Sequence, residues 1–195
     1  MSRTIEGIGF IKEGIYKTLD VAGVGMALGN IDVKKIHVKG IFKGKEVQNT
    51  EEMIVEGVAS GKLNVCHCAD ILRICGKAKI QRTEENSVVF KGEGTLRADT
   101  IVIDGFYLKG VCQMNKLEAP EVHIIEINNN RYVKNHRSVV DEIVCRKMIA
   151  YDLKAKNVTA QEVELHGNCE IDTLICGTIA YCDSGCVIKN HIKKN

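Results

Sequence analysis

Apolar residues recur at every second position along this chain, in short runs such as Ile36-His-Val38, Ile101-Val-Ile103, Val122-His-Ile124 and Val163-Glu-Leu165. β-Branched side chains dominate these runs, and glycine or a polar residue closes them. Spacing of two with such closures predicts short strands; the three- and four-residue spacing of an amphipathic helix is nearly absent. The expectation is an all-β chain built from many short strands of even length.

The strands repeat. Gly23, Gly40 and Gly57 lie 17 residues apart, and each closes one frame: Leu19-Asp-Val21-Ala-Gly23, Ile36-His-Val38-Lys-Gly40 and Met53-Ile-Val55-Glu-Gly57. A longer version starts with a small residue three positions upstream: Ala69-Asp-Ile-Leu72-Arg-Ile74-Cys-Gly76, Ala98-Asp-Thr-Ile101-Val-Ile103-Asp-Gly105 and Ala160-Gln-Glu-Val163-Glu-Leu165-His-Gly167. Ala119-Pro-Glu-Val122-His-Ile124 lacks the glycine, Cys145-Arg-Lys-Met148-Ile-Ala150-Tyr-Asp152 has Asp in its place, and Ile171-Asp-Thr-Leu174-Ile-Cys176 is a poorer copy. A fixed period of this length predicts a solenoid. In a parallel β-helix each inward side chain stacks on its counterpart about 4.8 Å away in the next turn. Paired aliphatics fill the flat faces and small residues such as Ala69, Ala98 and Ala160 turn the corners. Glycine is assigned the corners that need a positive φ.

The frame sets provisional boundaries. Residues 1–13 read as a lead-in, 14–188 as the coil, and 189–195 as a short basic tail. The spacing changes between Gly76 and Gly105, and a polar, turn-rich excursion near 126–143 reads as a loop or a junction between two solenoid blocks. A single proline (Pro120) and no tryptophan suit a narrow coil that needs every ladder donor.

Composition narrows the function. Twenty-seven Lys and Arg against 25 Asp and Glu leave +2, with no long run of either sign. Binding of nucleic acid would call for concentrated positive charge, so none is expected. No apolar stretch is long enough to span a membrane, and Glu6, Glu13 and Asp20 interrupt any signal peptide. The expected location is the cytoplasm, in reach of the inner membrane face, where the nine cysteines stay reduced and pack as small hydrophobes. Cys66, Cys68, Cys75 and Cys176 all sit in apolar alternation. The alternative use is a metal site built from Cys169, Cys176, Cys182 and Cys186, although paired CxxC spacing is absent.

No phosphate-binding loop, His-Glu-x-x-His or Gly-x-Ser-x-Gly occurs, so neither a catalytic residue nor a cofactor is expected. His37, His123 and His166 fall on outward positions of the frame. Asp99, Asp104, Glu162 and Glu164 read as solubility residues, despite their likeness to the carboxylates of β-helix lyases. A hexapeptide-repeat acyltransferase is the enzyme alternative, but strict six-residue spacing does not persist.

The rungs Gly57-Val-Ala-Ser-Gly61-Lys-Leu63, Ala69 to Gly76, Gly94-Thr-Leu96-Arg-Ala98 through Gly105, and Ala160 to Gly167 resemble those of bactofilins, polymer-forming cytoskeletal proteins of bacteria. The resemblance runs over about residues 14 to 188. It implies a right-handed β-helix, nucleotide-independent non-polar filaments and a scaffold role in cell shape, cell-wall synthesis or motility. The partners it implies are further copies of the chain, a second bactofilin-like protein or cell-envelope proteins, with membrane association as an option.

Polymerisation also follows without the resemblance. The end of a solenoid exposes unpaired backbone groups that template another chain unless they are capped. Ile8, Phe10 and Ile11 near the start, and Val187 and Ile188 near the finish, are the expected contact residues.

Overall fold

A computed structural model describes residues 1–65, 72–82, 87–125 and 137–194. Strands make up most of the described residues, and parallel coils of about 16 residues stack into a solenoid of about ten turns, with no helix among the described residues. The strands are β1 (Ser2–Ile5), β2 (Ile8–Ile11), β3 (Gly14–Val21), β4 (Val24–Ala27), β5 (Asn30–Val38), β6 (Ile41–Thr50), β7 (Glu52–Val55) and β8 (Val58–Val65). They continue as β9 (Leu72–Arg82), β10 (Val88–Val102), β11 (Gly105–Glu118), β12 (Glu121–Ile125), β13 (Ser138–Val144) and β14 (Lys147–Tyr151). β15 (Leu153–His166), β16 (Glu170–Cys182) and β17 (Val187–Lys193) complete the coil.

Each turn has three faces. β1, the second half of β3, the second half of β5, and β7 stack in register on the first face, with Arg3 on Leu19, Leu19 on Ile36, and Ile36 on Met53. β2, β4, and the starts of β6 and β8 form the second face. The starts of β3 and β5 and the later part of β6 form the third. Alternation decides which residues enter the core: Leu19, Val21, Ile36, Val38, Met53 and Val55 are buried, while Asp20, His37 and Ile54 between them point out. Inward aliphatics stacked on their own kind form the core between the terminal turns, at about 25 cal/mol per Å² of apolar surface removed from water.

The corners explain the repeat. In the first turns Ala22-Gly23, Lys39-Gly40 and Glu56-Gly57 each take two residues, and both N–H groups of Ala22 and Gly23 donate to the Ile5 carbonyl. A Cβ on Gly40 would lie 2.0 Å from the Gly23 carbonyl oxygen, and one on Gly57 would lie 2.1 Å from that of Gly40. The glycines are therefore required by backbone stacked against backbone, and positive φ is not the reason as the frame implied. Positive φ occurs elsewhere in the coil: at Gly14 (154°), Asn49 (57°) and Gly61 (144°) before β9, at Gly76 (132°) within it, and at the later corners Gly94 (126°), Gly110 (144°), Asp152 (48°) and Gly167 (70°). Asp152, the residue in the glycine slot, holds its conformation by accepting a 2.8 Å bond from the Asn168 backbone N–H. Ala98 and Ala160 are buried, as expected of small inward residues. Gly105 opens β11 and closes no corner; a Cβ there would press on the Tyr107 ring at 3.1 Å.

The coil is interrupted once by a strand that runs backwards. β9 pairs antiparallel with β8 and β7 on one side, from Gly61↔Leu72 to Glu52↔Gln81, and antiparallel with β10 on the other, from Ala98↔Leu72 to Val88↔Arg82. It retraces the second face and then the first, after which β10 resumes the original direction. Parallel stacking then continues from β10 through β11 to β17. Winding order and direction of advance are the same on both sides of β9, so the two blocks coil in the same sense.

Three boundaries move. The coil begins with β1 at Ser2, so residues 1–13 contain strands of the first turn. β17 runs to Lys193, so the basic tail is largely strand. β13 resumes the ladder at Ser138, so residues 138–143 of the expected excursion are strand, while residues 126–136 lie outside the described residues.

Candidate functional site

The two ends of the coil carry the chemistry of assembly. At the first end β1, β2 and Gly14–Tyr16 are paired to later strands only; at the other, Thr178–Cys182 and β17 are paired to earlier strands only. Each end thus presents the outer edge of a full three-faced turn, a row of backbone donors and acceptors.

The inward positions of these terminal turns are partly cationic. Arg3 stands over the buried Leu19, and its Nη2 donates to the Phe10 carbonyl at 2.6 Å, crossing from the first face to the second. Tyr16 fills the section beneath, buried, with its hydroxyl donating to the Lys12 carbonyl at 2.8 Å. At the far end Ile188 stacks on Ile171, His191 on Leu174 and Lys193 on Cys176, and His191 Nε2 lies 3.3 Å from the Cys176 thiol. Inward charge on a terminal strand opposes edge-to-edge pairing, because docking would strip its water. These side chains follow from the sequence through register alone: Arg3 lies 16 residues before Leu19, and Lys193 lies 17 after Cys176.

The expected contact residues divide by side. Ile11 is wholly buried in the first turn and is a core residue. Ile8 (83% exposed) and Phe10 (52%) face outward on the second face, and Val187 (54%) is likewise exposed. Ile11 and Ile188 lie at inward positions of the terminal turns. Ile8 heads a row that continues through Val24, Ile41 and Val58, with Phe10 beside Met26. On the same face of the last turns the row is ionic. Glu170 lies 3.2 Å from Arg137, 3.5 Å from Lys154 and 3.7 Å from Lys189; Lys156 meets Asp141 at 2.8 Å. Lys189 also holds Asp172 at 2.7 Å, which keeps that carboxyl below its usual range.

The cysteines are less uniformly internal than alternation suggests. Cys112 and Cys169 are buried and Cys145 is partly so, and burial pushes all three thiols up to about 12. Cys176 is buried as expected, while Cys75 and Cys182 are exposed. Cys75 pairs with Val58 on the outer side of the second face. Cys66, Cys68 and Ala69 lie outside the described residues. Cys186 neighbours Cys169 and Cys182, whereas Cys176 turns to His191. Among the described residues no three His, Cys, Asp or Glu side chains converge as a metal site. The four candidates Cys169, Cys176, Cys182 and Cys186 are therefore not brought together.

His37, His123 and His166 do face outward. His37 lies 3.3 Å from Glu56, and His166 is stacked between Tyr151 (4.4 Å) and Tyr181 (4.6 Å). The carboxylates have structural partners: Asp104 accepts from the Val88 N–H at 2.7 Å, and Glu162 and Glu164 share Lys147 at 2.9 and 3.4 Å. Asp99 is half-buried at the junction between the second and third faces.

No family model, curated protein or solved structure matches this chain. Function must be argued from the coil itself.

Proposed function

We propose that this protein is a structural scaffold that joins copies of itself end to end into a nucleotide-independent polymer. The observation that carries the reading is the pair of three-faced open edges, one on β1–β3 and one on β16–β17, at the two ends of a continuous ladder. Each edge offers unpaired backbone groups over an apolar core, and a second copy stacked on it would extend the ladder by one more rung spacing of about 4.8 Å. A heterologous joint of this kind does not close, and so it propagates. The resemblance of the rungs to bactofilins points the same way and suggests a role in bacterial cell shape, cell-wall or motility-related organisation.

The inward cations give the joint a property. Arg3, on the first face of one end, and Lys193, on the third face of the other, enter the same joint when two coils meet. Their repulsion makes the joint weak at low salt and stronger once the charges are screened, over a Debye length of about 10 Å at 0.1 M salt. Negative-stain electron microscopy of purified, nucleotide-free protein at micromolar concentration tests the proposal. Filaments one coil wide are expected at moderate salt, and a field of separate particles at every salt concentration would reject it.

A further inference from the structure

The last corner of the coil is flanked by two cysteines. β16 leaves the first face at Cys182, and β17 begins the second face at Val187. Between them the chain turns, closed by a 3.0 Å bond from the Cys186 N–H to the Asp183 carbonyl. Both cysteines take inward positions by register. Cys182 stacks on the buried Leu165, and Cys186, one residue before the Glu170↔Val187 pair, stacks on the buried Cys169. β16 and β17 are the outermost strands at this end among the described residues, so the corner is open: Cys182 is exposed and Cys186 half-buried. The Cys186 thiol lies within hydrogen-bonding reach of Cys169 on one side and of Cys182 on the other.

Its two neighbours differ in what they are free to do. Cys169 is enclosed and engaged: its sulfur accepts from the Leu153 N–H at 3.5 Å, and its thiol donates to the His166 carbonyl at 3.3 Å. Burial pushes that thiol up to about 12, which leaves almost no thiolate to react. Cys176, also buried, is turned to His191. Cys182 is open to water and reaches the adjacent Asp183 carbonyl at 3.8 Å, a weak contact. Cys186 packs on the core and points to the Gly167 carbonyl at 3.6 Å. An exposed thiol with a second, part-sheltered thiol beside it is the arrangement that thiol–disulfide exchange requires. Sulfurs already in contact bond with little backbone movement.

We infer that Cys182 and Cys186 form a reversible disulfide, oxidised by small-molecule disulfides such as glutathione disulfide, that locks the corner from which β17 starts. The Cys182 thiolate attacks one sulfur of glutathione disulfide, forming a mixed disulfide and releasing one glutathione. The Cys186 thiolate then attacks the Cys182 sulfur and releases the second. The two protein thiols lose two electrons to the glutathione disulfide, and their protons pass through water to the two glutathione thiols formed. The closed ring restrains the start of β17, whose Val187 N–H donates to the Cys169 carbonyl at 2.8 Å. The inference is independent of end-to-end joining, because a separate coil would form the same bond.

The test exposes the full chain to glutathione disulfide at a pH of about 8.5, near the ordinary thiol value. Free thiols are then blocked, and the chain is cleaved before its Asp residues. Peptide 172–182 joined to peptide 183–195 is expected, with the bond at Cys182 by fragmentation and its loss on dithiothreitol. Cys182→Ser should abolish the link with an unchanged β-rich circular dichroism spectrum. In the oxidised wild-type chain, amide exchange at Val187 and Ile188 should slow several-fold relative to the reduced chain. A link from peptide 152–171, which carries Cys169, would overturn the inference. So would a bond at Cys176, glutathione retained on Cys182 with no crosslink, an intact link in Cys182→Ser, or amide exchange indifferent to oxidation.

Discussion

The coil before β9 and the coil after it solve the same packing problem with different corners. Before it, from β3 onward, the turn is 17 residues on the first and second faces, as in Val24↔Ile41 and Lys35↔Glu52, and 16 between β5 and the later part of β6. After it the turn is 16 in Val89↔Gly105 and 15 in Lys147↔Glu162, and returns to 17 in Glu170↔Val187. The early corner between first and second faces consumes two residues, with glycine packed on glycine. The late corner consumes one at Gly94, Gly110 or Asp152, each with positive φ, and two at Gly167-Asn168. Their second faces differ as well, aliphatic from Ile8 to Val58 and ion-paired around Glu170. The inward core is alike in both, so a common core tolerates two corner chemistries and two surfaces.

Exchanging the corner requirements is the strongest way to break this comparison. Gly40→Ala drives a Cβ against a carbonyl 2.0 Å away, and should cost roughly 4 kcal/mol or more. Asp152→Gly keeps the conformation and loses the two bonds donated by Asn168 at 2.8 and 3.4 Å, costing about 1–2 kcal/mol. Urea denaturation of both variants measures the difference; similar losses would mean that the two corners are not distinct. Phe90→Ala removes one ring of the stack with Phe106 at 5.0 Å, just past the reversal, and should cost roughly 3–5 kcal/mol. If thermal melting then shows two transitions, the reversal separates two folding units; one transition means that β9 couples them.

A smaller effect tests the seam itself. Glu52 of β7 meets Lys79 of β9 at 3.2 Å, and that hydrogen bond, against the opposing effect of burial, holds its carboxyl below the usual 4.5. A carboxylate with a lowered folded value stabilises above its ordinary value and loses that contribution as pH falls through the folded one. Glu52→Gln should therefore weaken the protein at neutral pH and flatten its loss of stability below pH 4.5. Parallel acid titrations of the two proteins, followed by circular dichroism, check the sign. Glu170→Gln in the ionic face should shift Tm by no more than about 2 °C, since partly exposed ion pairs contribute little.

Much of the fold was legible because backbone contact enforces it. Gly23, Gly40 and Gly57 recur at one spacing since nothing larger fits, and the spacing then identifies the inward aliphatics on either side. The direction of β9 was not legible. An antiparallel strand alternates as a parallel one does, and Leu72-Arg-Ile74-Cys-Gly76 carries the same frame as its neighbours, so only the altered distance to Gly105 betrayed the reversal. Parity separates Ile8 and Phe10 from Ile11, yet grouping them as one hydrophobic cluster hid it.

End-to-end joining remains the central claim, and sedimentation velocity across a salt series tests it most directly. Wild-type protein should shift from monomer toward a distribution of larger species as salt is raised. Lys193→Leu, with its inward charge removed, should reach that distribution at lower salt. A single monomeric boundary at every salt concentration in both proteins would contradict the account.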